Sequence, residues 1–180
     1  MKVGIYGGSF NPIHFGHIGL AKWVVENTDF DELWMMVSPN NPLKDKSILA
    51  NEQQRLAAAK EAIGQLGNEA RGKIVVSDFE FHLPRPTYTA NTLRALTRAY
   101  PKYEFTLIIG EDNLDIFDRW KEYQYILDNY RVFVYPRHRN VVIDNQQRNT
   151  ILQEAHNIKL LEGAPFFDIS STELRKNLQD

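Results

Sequence analysis

Short apolar runs alternate along the chain with longer stretches in which apolar residues recur every three or four positions. Residues 3–6 (VGIY) are the first run and stop at Gly7-Gly8. Phe15, Ile18, Ala21, Val24 and Val25 then share one face of a helix predicted over residues 15–26. Residues 33–38 (LWMMVS) predict a second strand, closed by Pro39-Asn40-Asn41-Pro42. A helix over 52–66 should end at Gly67, and residues 73–77 (KIVVS) predict a third strand. Thr87 or Thr89 would cap a helix over 89–100, which Pro101 ends. Residues 104–109 (EFTLII) predict a strand running into Gly110. Residues 112–129 have helical spacing, in one piece or two, and residues 131–135 (RVFVY) predict a fifth strand before Pro136. A sixth strand over 158–161 and a short last helix over 171–178 complete the pattern.

Strands that are apolar at every position are buried on both faces, as in a parallel sheet between two helical layers. Right-handed crossovers then make the predicted fold α/β: a doubly wound, Rossmann-like, mostly parallel sheet with helices on both faces. Without repeats, low-complexity tracts or a Ser/Gly linker, residues 1–180 are expected to form one domain. Such sheets bind ligands beyond the carboxyl ends of their strands. A site is therefore expected around residues 7–17, 38–44, 110–112 and 135–139.

Composition removes several functions. The 180 residues are 43% hydrophobic and 24% charged, enough for one sizeable core. The 21 Lys+Arg against 23 Asp+Glu leave a net charge of −2, so no nucleic-acid partner is expected. The chain has no cysteine, which excludes thiolate catalysis, disulfides and Cys-based metal sites. No apolar run is long enough to span a membrane, and residues 1–6 read as a strand rather than a signal peptide. A cytoplasmic enzyme or binding protein is the expectation.

The first strand–helix junction carries the strongest chemistry. Gly7-Gly8-Ser9-Phe10-Asn11-Pro12-Ile13-His14-Phe15-Gly16-His17 fits neither GxGxxG nor the Walker spacing. Gly7 and Gly8 let backbone N–H groups approach a ligand closely. A helix start offers free N–H groups and a positive dipole end to an anion. His14 and His17 lie three residues apart at that start, with Gly16 removing a side chain between them. Imidazoles placed there make sense as hydrogen-bond donors to phosphate oxygens, and this reading outweighs a tight turn with incidental histidines. A metal held by these histidines lacks an evident third ligand, so no metal site is expected.

This segment resembles the signature of the nucleotidyltransferase superfamily with the (H/T)xGH motif. The second half of that signature, ISSTxxR, is matched by Ile169-Ser170-Ser171-Thr172-Glu173-Leu174-Arg175. Between them, Ser77-Asp78-Phe79-Glu80 with Arg85-Pro86-Thr87-Tyr88-Thr89-Ala90-Asn91-Thr92-Leu93, and Ile109-Gly110-Glu111-Asp112-Asn113-Leu114 with Trp120-Lys121, are similar to stretches of bacterial nicotinate-nucleotide adenylyltransferases. Phe166-Phe167-Asp168 matches the approach to their last helix. The resemblance implies transfer of an adenylyl group from ATP, carried with Mg²⁺, to nicotinate mononucleotide in NAD synthesis. It implies that Gly7, Gly8, Ser9, Phe10 and Gly16 surround the ATP phosphates. His14, His17, Lys44, Ser171, Thr172 and Arg175 would contact them, Gly110 and Asp112 would hold the ribose, and Ile169 would lie by adenine. Thr89, Ala90, Trp120, Lys121 and Arg137 would form the acceptor site. Leu43 stands where family members often carry His, so only Lys44 is carried over from that loop. The family's usual helical segment beyond ISSTxxR is expected to be absent here.

The chemistry asks little of the protein. A phosphate oxygen of the acceptor is already an anionic nucleophile, so no Ser–His–Asp relay is needed and direct in-line transfer is expected. Asp78 and Glu80 are accordingly read as structural, and Tyr123, Tyr125 and Tyr130 as helix packing. Asp112 also suits a helix cap, Trp120 a core position, and Lys44 and Arg137-His138-Arg139 solvated loops. A nicotinamide-mononucleotide enzyme, another small-molecule adenylyltransferase and a nucleotide-binding regulator without turnover stay open, as does self-association.

Overall fold

The computed structural model describes residues 1–39, 52–137 and 155–167. Its order is β1 (Lys2–Gly8), α1 (Phe15–Asn27), β2 (Glu32–Val37), α2 (Glu52–Gly64), α3 (Asn68–Lys73), β3 (Ile74–Ser77), α4 (Thr89–Ala99), β4 (Glu104–Gly110), α5 (Glu111–Leu114), α6 (Tyr123–Asn129), β5 (Arg131–Tyr135) and β6 (Ile158–Leu160). Single 3₁₀ turns occupy Phe79–His82 and Phe117–Arg119.

The six strands form one sheet in the order β3-β2-β1-β4-β5-β6. Every neighbouring pair is parallel, with Ile5 opposite Trp34 on one side and Leu107 on the other. This is the doubly wound, Rossmann-like sheet predicted from the apolar runs. Alternate residues of the central strands serve different layers, which is why those runs are apolar throughout. Tyr6, Leu33, Met35 and Ile108 pack with Leu20, Val24 and Leu56 of α1 and α2. Val3, Ile5, Trp34, Met36, Leu107 and Ile109 pack on the other face with Leu93, Leu96 and Ile126 of α4 and α6. The strand order reverses between β1 and β4, so the carboxyl ends of these strands open a crevice.

Four elements depart from expectation. The helix predicted over 52–66 ends at Gly64, and the unpredicted α3 fills the gap before β3. Only Ala70 of α3 is buried, so it leaves no periodic signal. The helix predicted over 112–129 is broken into α5, a 3₁₀ turn and α6. Leu114, Phe117, Trp120, Tyr123 and Ile126 repeat every three residues and pack in one cluster. A straight α-helix would rotate that series by about 60° per step; here the chain breaks at the 3₁₀ turn Phe117–Arg119, the extended Trp120 and the left-handed Glu122, which brings the series into one cluster. Helix α4 starts at Thr89 with Tyr88 at its N-cap position and no side-chain cap. Thr87 and Thr89 stand one residue before and one residue after that position, so neither caps the helix. The helix predicted over 171–178 lies outside the described residues.

Leu93 is fully buried where α4 meets the sheet. Leu93→Ala should cost about 2–5 kcal/mol. In urea unfolding, the midpoint should fall while the slope stays unchanged.

Candidate active site

Beyond β1, the chain turns through residues 9–14 and enters α1 with His14 as its N-cap. His14 Nδ1 accepts the Gly16 N–H at 3.1 Å, and His17 Nδ1 accepts the His14 N–H at 3.2 Å. This is a reciprocal capping box in which imidazoles replace the usual hydroxyl and carboxylate. The rings stack with centroids 3.7 Å apart. Because each Nδ1 is an acceptor, each neutral ring carries its proton on Nε2. The buried His14 Nε2 has no hydrogen-bond partner among the described residues.

Burial, followed by the charge of Arg137, pulls His14 below the ordinary histidine range. Burial, then His14, then Arg137 push His17 down to about 3. Both rings are therefore neutral at pH 7, with their Nε2–H groups left as donors. Phe10 stands beneath this pair. Its backbone is left-handed at φ 45°, and its buried ring meets His17 edge-on at 5.0 Å. The ring of Phe10 thus belongs to the core rather than to a ligand surface. Ser9 is exposed, and its carbonyl accepts from Arg55 Nη1 at 2.5 Å. Phe167 covers Gly16 and Gly19 from outside and meets Phe15 at 5.7 Å. No Cβ fits at Gly19 while that ring is in place.

A cavity of about 400 Å³ lies at the carboxyl ends of β1, β2 and β4. Gly7, Gly8, Gly110, Thr89 and Trp120 line it, as the sequence predicts. A shallower cleft joins His14, Gly16, His17 and Arg137. Tyr6 and Tyr135 line both. Trp120 is half-buried and packs on Phe117 at 5.1 Å, so it serves core and cavity together. Tyr123, Tyr125 and Tyr130 pack in the helical layer as expected.

Other expectations need correction. The Ala90 side chain is fully buried, because helical spacing turns it with Leu93 toward the sheet. Lys121 does not line the cavity; its Nζ lies 4.6 Å from the centroid of the Tyr88 ring. Asp112 does not cap α5, whose N-cap is Gly110. Its carboxylate faces Arg137 Nε at 3.5 Å, and the Arg137 N–H donates to Glu111 at 3.1 Å. A Cβ on Gly110 would collide with Asp112 and Arg137, so glycine is needed for that pair to close. Glu80 lines the cavity, and Arg55 is buried against the turn after β1, at the Ser9 carbonyl; sequence reasoning gave neither a place in the site. Lys44, His138, Arg139, Ile169, Ser171, Thr172 and Arg175 lie outside the described residues.

Among the described residues, no three His, Asp or Glu side chains gather as a metal cage. The donors that converge at the start of α1 are N–H groups, which answer oxyanions rather than cations. No described helix is long and apolar enough to cross a membrane.

The cytidylyltransferase-like family matches residues 5–177. A Flavobacterium psychrophilum protein named probable nicotinate-nucleotide adenylyltransferase is 47% identical over 180 residues, covering 100% of this chain and 88% of its own length. The chain belongs to the nicotinate-nucleotide adenylyltransferase family. A Bacteroides fragilis member with the same name is 44% identical over 98% of this chain and 82% of its own length. The fold is also that of the Plasmodium falciparum nicotinic acid mononucleotide adenylyltransferase complexed with NaAD. That structure has a TM-score of 0.80 at 22% identity and covers 97% of this chain and 82% of its own.

The neutral state of His17 has a consequence for stability. Between its folded value of about 3 and its ordinary 6.5, the unfolded chain binds a proton that the native chain does not. Stability should therefore rise with pH through that window and level off above it. Thermal midpoints from about pH 5 to about pH 7 should climb more steeply for the wild type than for His17→Gln. Parallel profiles would show that His17 is not held neutral by burial.

Proposed function

We propose that this chain transfers the adenylyl group of ATP to nicotinate mononucleotide, forming the deamido dinucleotide and releasing pyrophosphate. A phosphate oxygen of the acceptor attacks the α-phosphorus, and the bond from that phosphorus to the bridging oxygen of pyrophosphate breaks. One P–O bond forms and one is lost, with no covalent enzyme intermediate and no base to take a proton. The protein's work is then to align two polyanions and to stabilise the charge on the departing oxygen.

The observation that carries this reading is the pair of neutral Nε2–H donors at the start of α1, beside a cavity of nucleotide dimensions. In this reading His14 and His17 donate to ATP phosphate oxygens. The dipole end of α1 and the backbone of Gly7, Gly8, Ser9 and Phe10 support the same charge, and Gly16 leaves room beside them. Lys44, Ser171, Thr172 and Arg175 complete the phosphate contacts, and Ile169 lies by adenine. Gly110 and Asp112 hold the ribose. Thr89 and Trp120 take the pyridine ring, and Arg137 adds positive charge near the phosphates. Mg²⁺, held by triphosphate oxygens rather than by a protein cage, would neutralise charge there.

Pyrophosphate release should be followed with ATP and Mg²⁺ on nicotinate mononucleotide and nicotinamide mononucleotide side by side. Preference for the acid is expected; preference for the amide would overturn the acceptor assignment and leave the transfer chemistry. His17→Ala should lower kcat by about 10²–10³-fold, the loss typical of one preorganised donor. Its unfolding midpoint should drop only by the loss of a helix cap, about 1 kcal/mol. Full activity in that variant would remove His17 from the reaction.

A further inference from the structure

Glu80 sits in the 3₁₀ turn Phe79–His82, in the wall of the main cavity, and is only 8% exposed. Its carboxylate accepts the Thr92 hydroxyl at 2.8 Å, and the Ser38 and Thr87 hydroxyls lie around it and favour its charged form. These hydroxyls come from separate segments: the end of β2, the loop before α4, and the first turn of α4. The adenylyl transfer described above moves no proton that Glu80 could carry.

A buried carboxylate is costly unless its donors are held in good geometry. Burial indeed pushes the Glu80 carboxyl above its ordinary range, against the opposing influence of the Thr92, Ser38 and Thr87 hydroxyls. Such a group contributes little net stability but demands one arrangement of its neighbours. The loop before α4 is tied from its other side as well, because Arg85 forms a bidentate pair with Glu52 at 2.6 and 2.9 Å. Thr87 shares the cavity wall with Glu80 and favours its charged form, and the start of α4 has no side-chain cap there.

We propose that Glu80 is a positioning residue for the acceptor: it gathers Ser38, Thr87 and Thr92 around one carboxylate and thereby sets Thr89 and the start of α4 against the cavity. This rests on the proposed function, which places the acceptor ring between Thr89 and Trp120. Glu80 touches neither ATP nor the acceptor in this assignment. Its loss should loosen one wall of the cavity and leave the histidine cap of α1 in place.

Steady-state kinetics on Glu80→Gln, Glu80→Ala and Thr92→Val, with ATP and acceptor varied separately, tests this. One lost buried hydrogen bond corresponds to a rise of about tenfold in KM for nicotinate mononucleotide in Thr92→Val. KM for ATP should stay within about twofold. Glu80→Gln retains an acceptor oxygen and should be less affected than Glu80→Ala. Equal changes in both KM values, or an unchanged KM for the acceptor, would overturn the proposal. Should the wild type prefer a different acceptor, the function reading falls, and the same split is read on that acceptor. Should the wild type turn nothing over, amide hydrogen exchange of Glu80→Ala decides. Faster exchange confined to residues 85–93, with residues 14–20 unchanged, supports the proposal, and unchanged exchange in both overturns it.

Discussion

Two imidazoles that each spend one nitrogen on closing a helix have only the other left for a ligand. That constraint orders the site. His14 and His17 bond to each other's end of the first turn of α1 through Nδ1. Tautomer, ring plane and donor direction are thus set by backbone hydrogen bonds rather than by the ligand. The surroundings serve the same end. Phe10 takes a left-handed backbone to put its ring under His17, and Tyr6 contacts both rings from the sheet. Such strain persists only where the structure around it over-determines the conformation.

The sheet provides the second half of the arrangement. With β1 between β2 and β4, the start of α1, the Gly110 corner and the wall made by residues 80–92 all meet at one edge. Each wall is tied by a different interaction. Asp112 and Arg137 close over Gly110, Arg94 holds Glu122 at the start of α6 with bonds of 2.9 and 2.6 Å, and Glu80 accepts the Thr92 hydroxyl of α4. The exposed ion pairs add little stability by themselves, but they fix loops that have few apolar contacts.

Much of this was legible in the sequence, for identifiable reasons. The strands were plain because burial on both faces makes them apolar throughout, and the turn into α1 because glycines and histidines at that spacing mark a tight strand-to-helix junction. Periodicity failed where it carries no information. Helix α3 buries one alanine, and a repeat of three over 114–126 reads as one helix although the backbone breaks at Phe117–Arg119, Trp120 and Glu122. Glu80 and Arg55 were missed because their roles depend on partners 12 and 46 residues away. No local spacing reports such pairs.

The low pKa of His17 decides how the site would meet a triphosphate. An adjacent anion favours the protonated form of an imidazole, and a single close opposite charge moves a pKa by about one to three units. Starting from about 3, His17 would need a rise of about four units to be half-protonated at pH 7. Burial and the neighbouring His14 and Arg137 all oppose that rise. On the proposed reading His17 therefore meets ATP as a neutral donor. Its contribution is a fixed Nε2–H dipole whose strength comes from a dry setting, not a mobile proton. A charged imidazole would attract the substrate phosphates before and after transfer alike. A fixed neutral donor instead acts through position, favouring whichever arrangement of phosphate oxygens fits it. The capping box that fixes the donor is then part of the catalytic apparatus, although neither of its hydrogen bonds reaches the ligand.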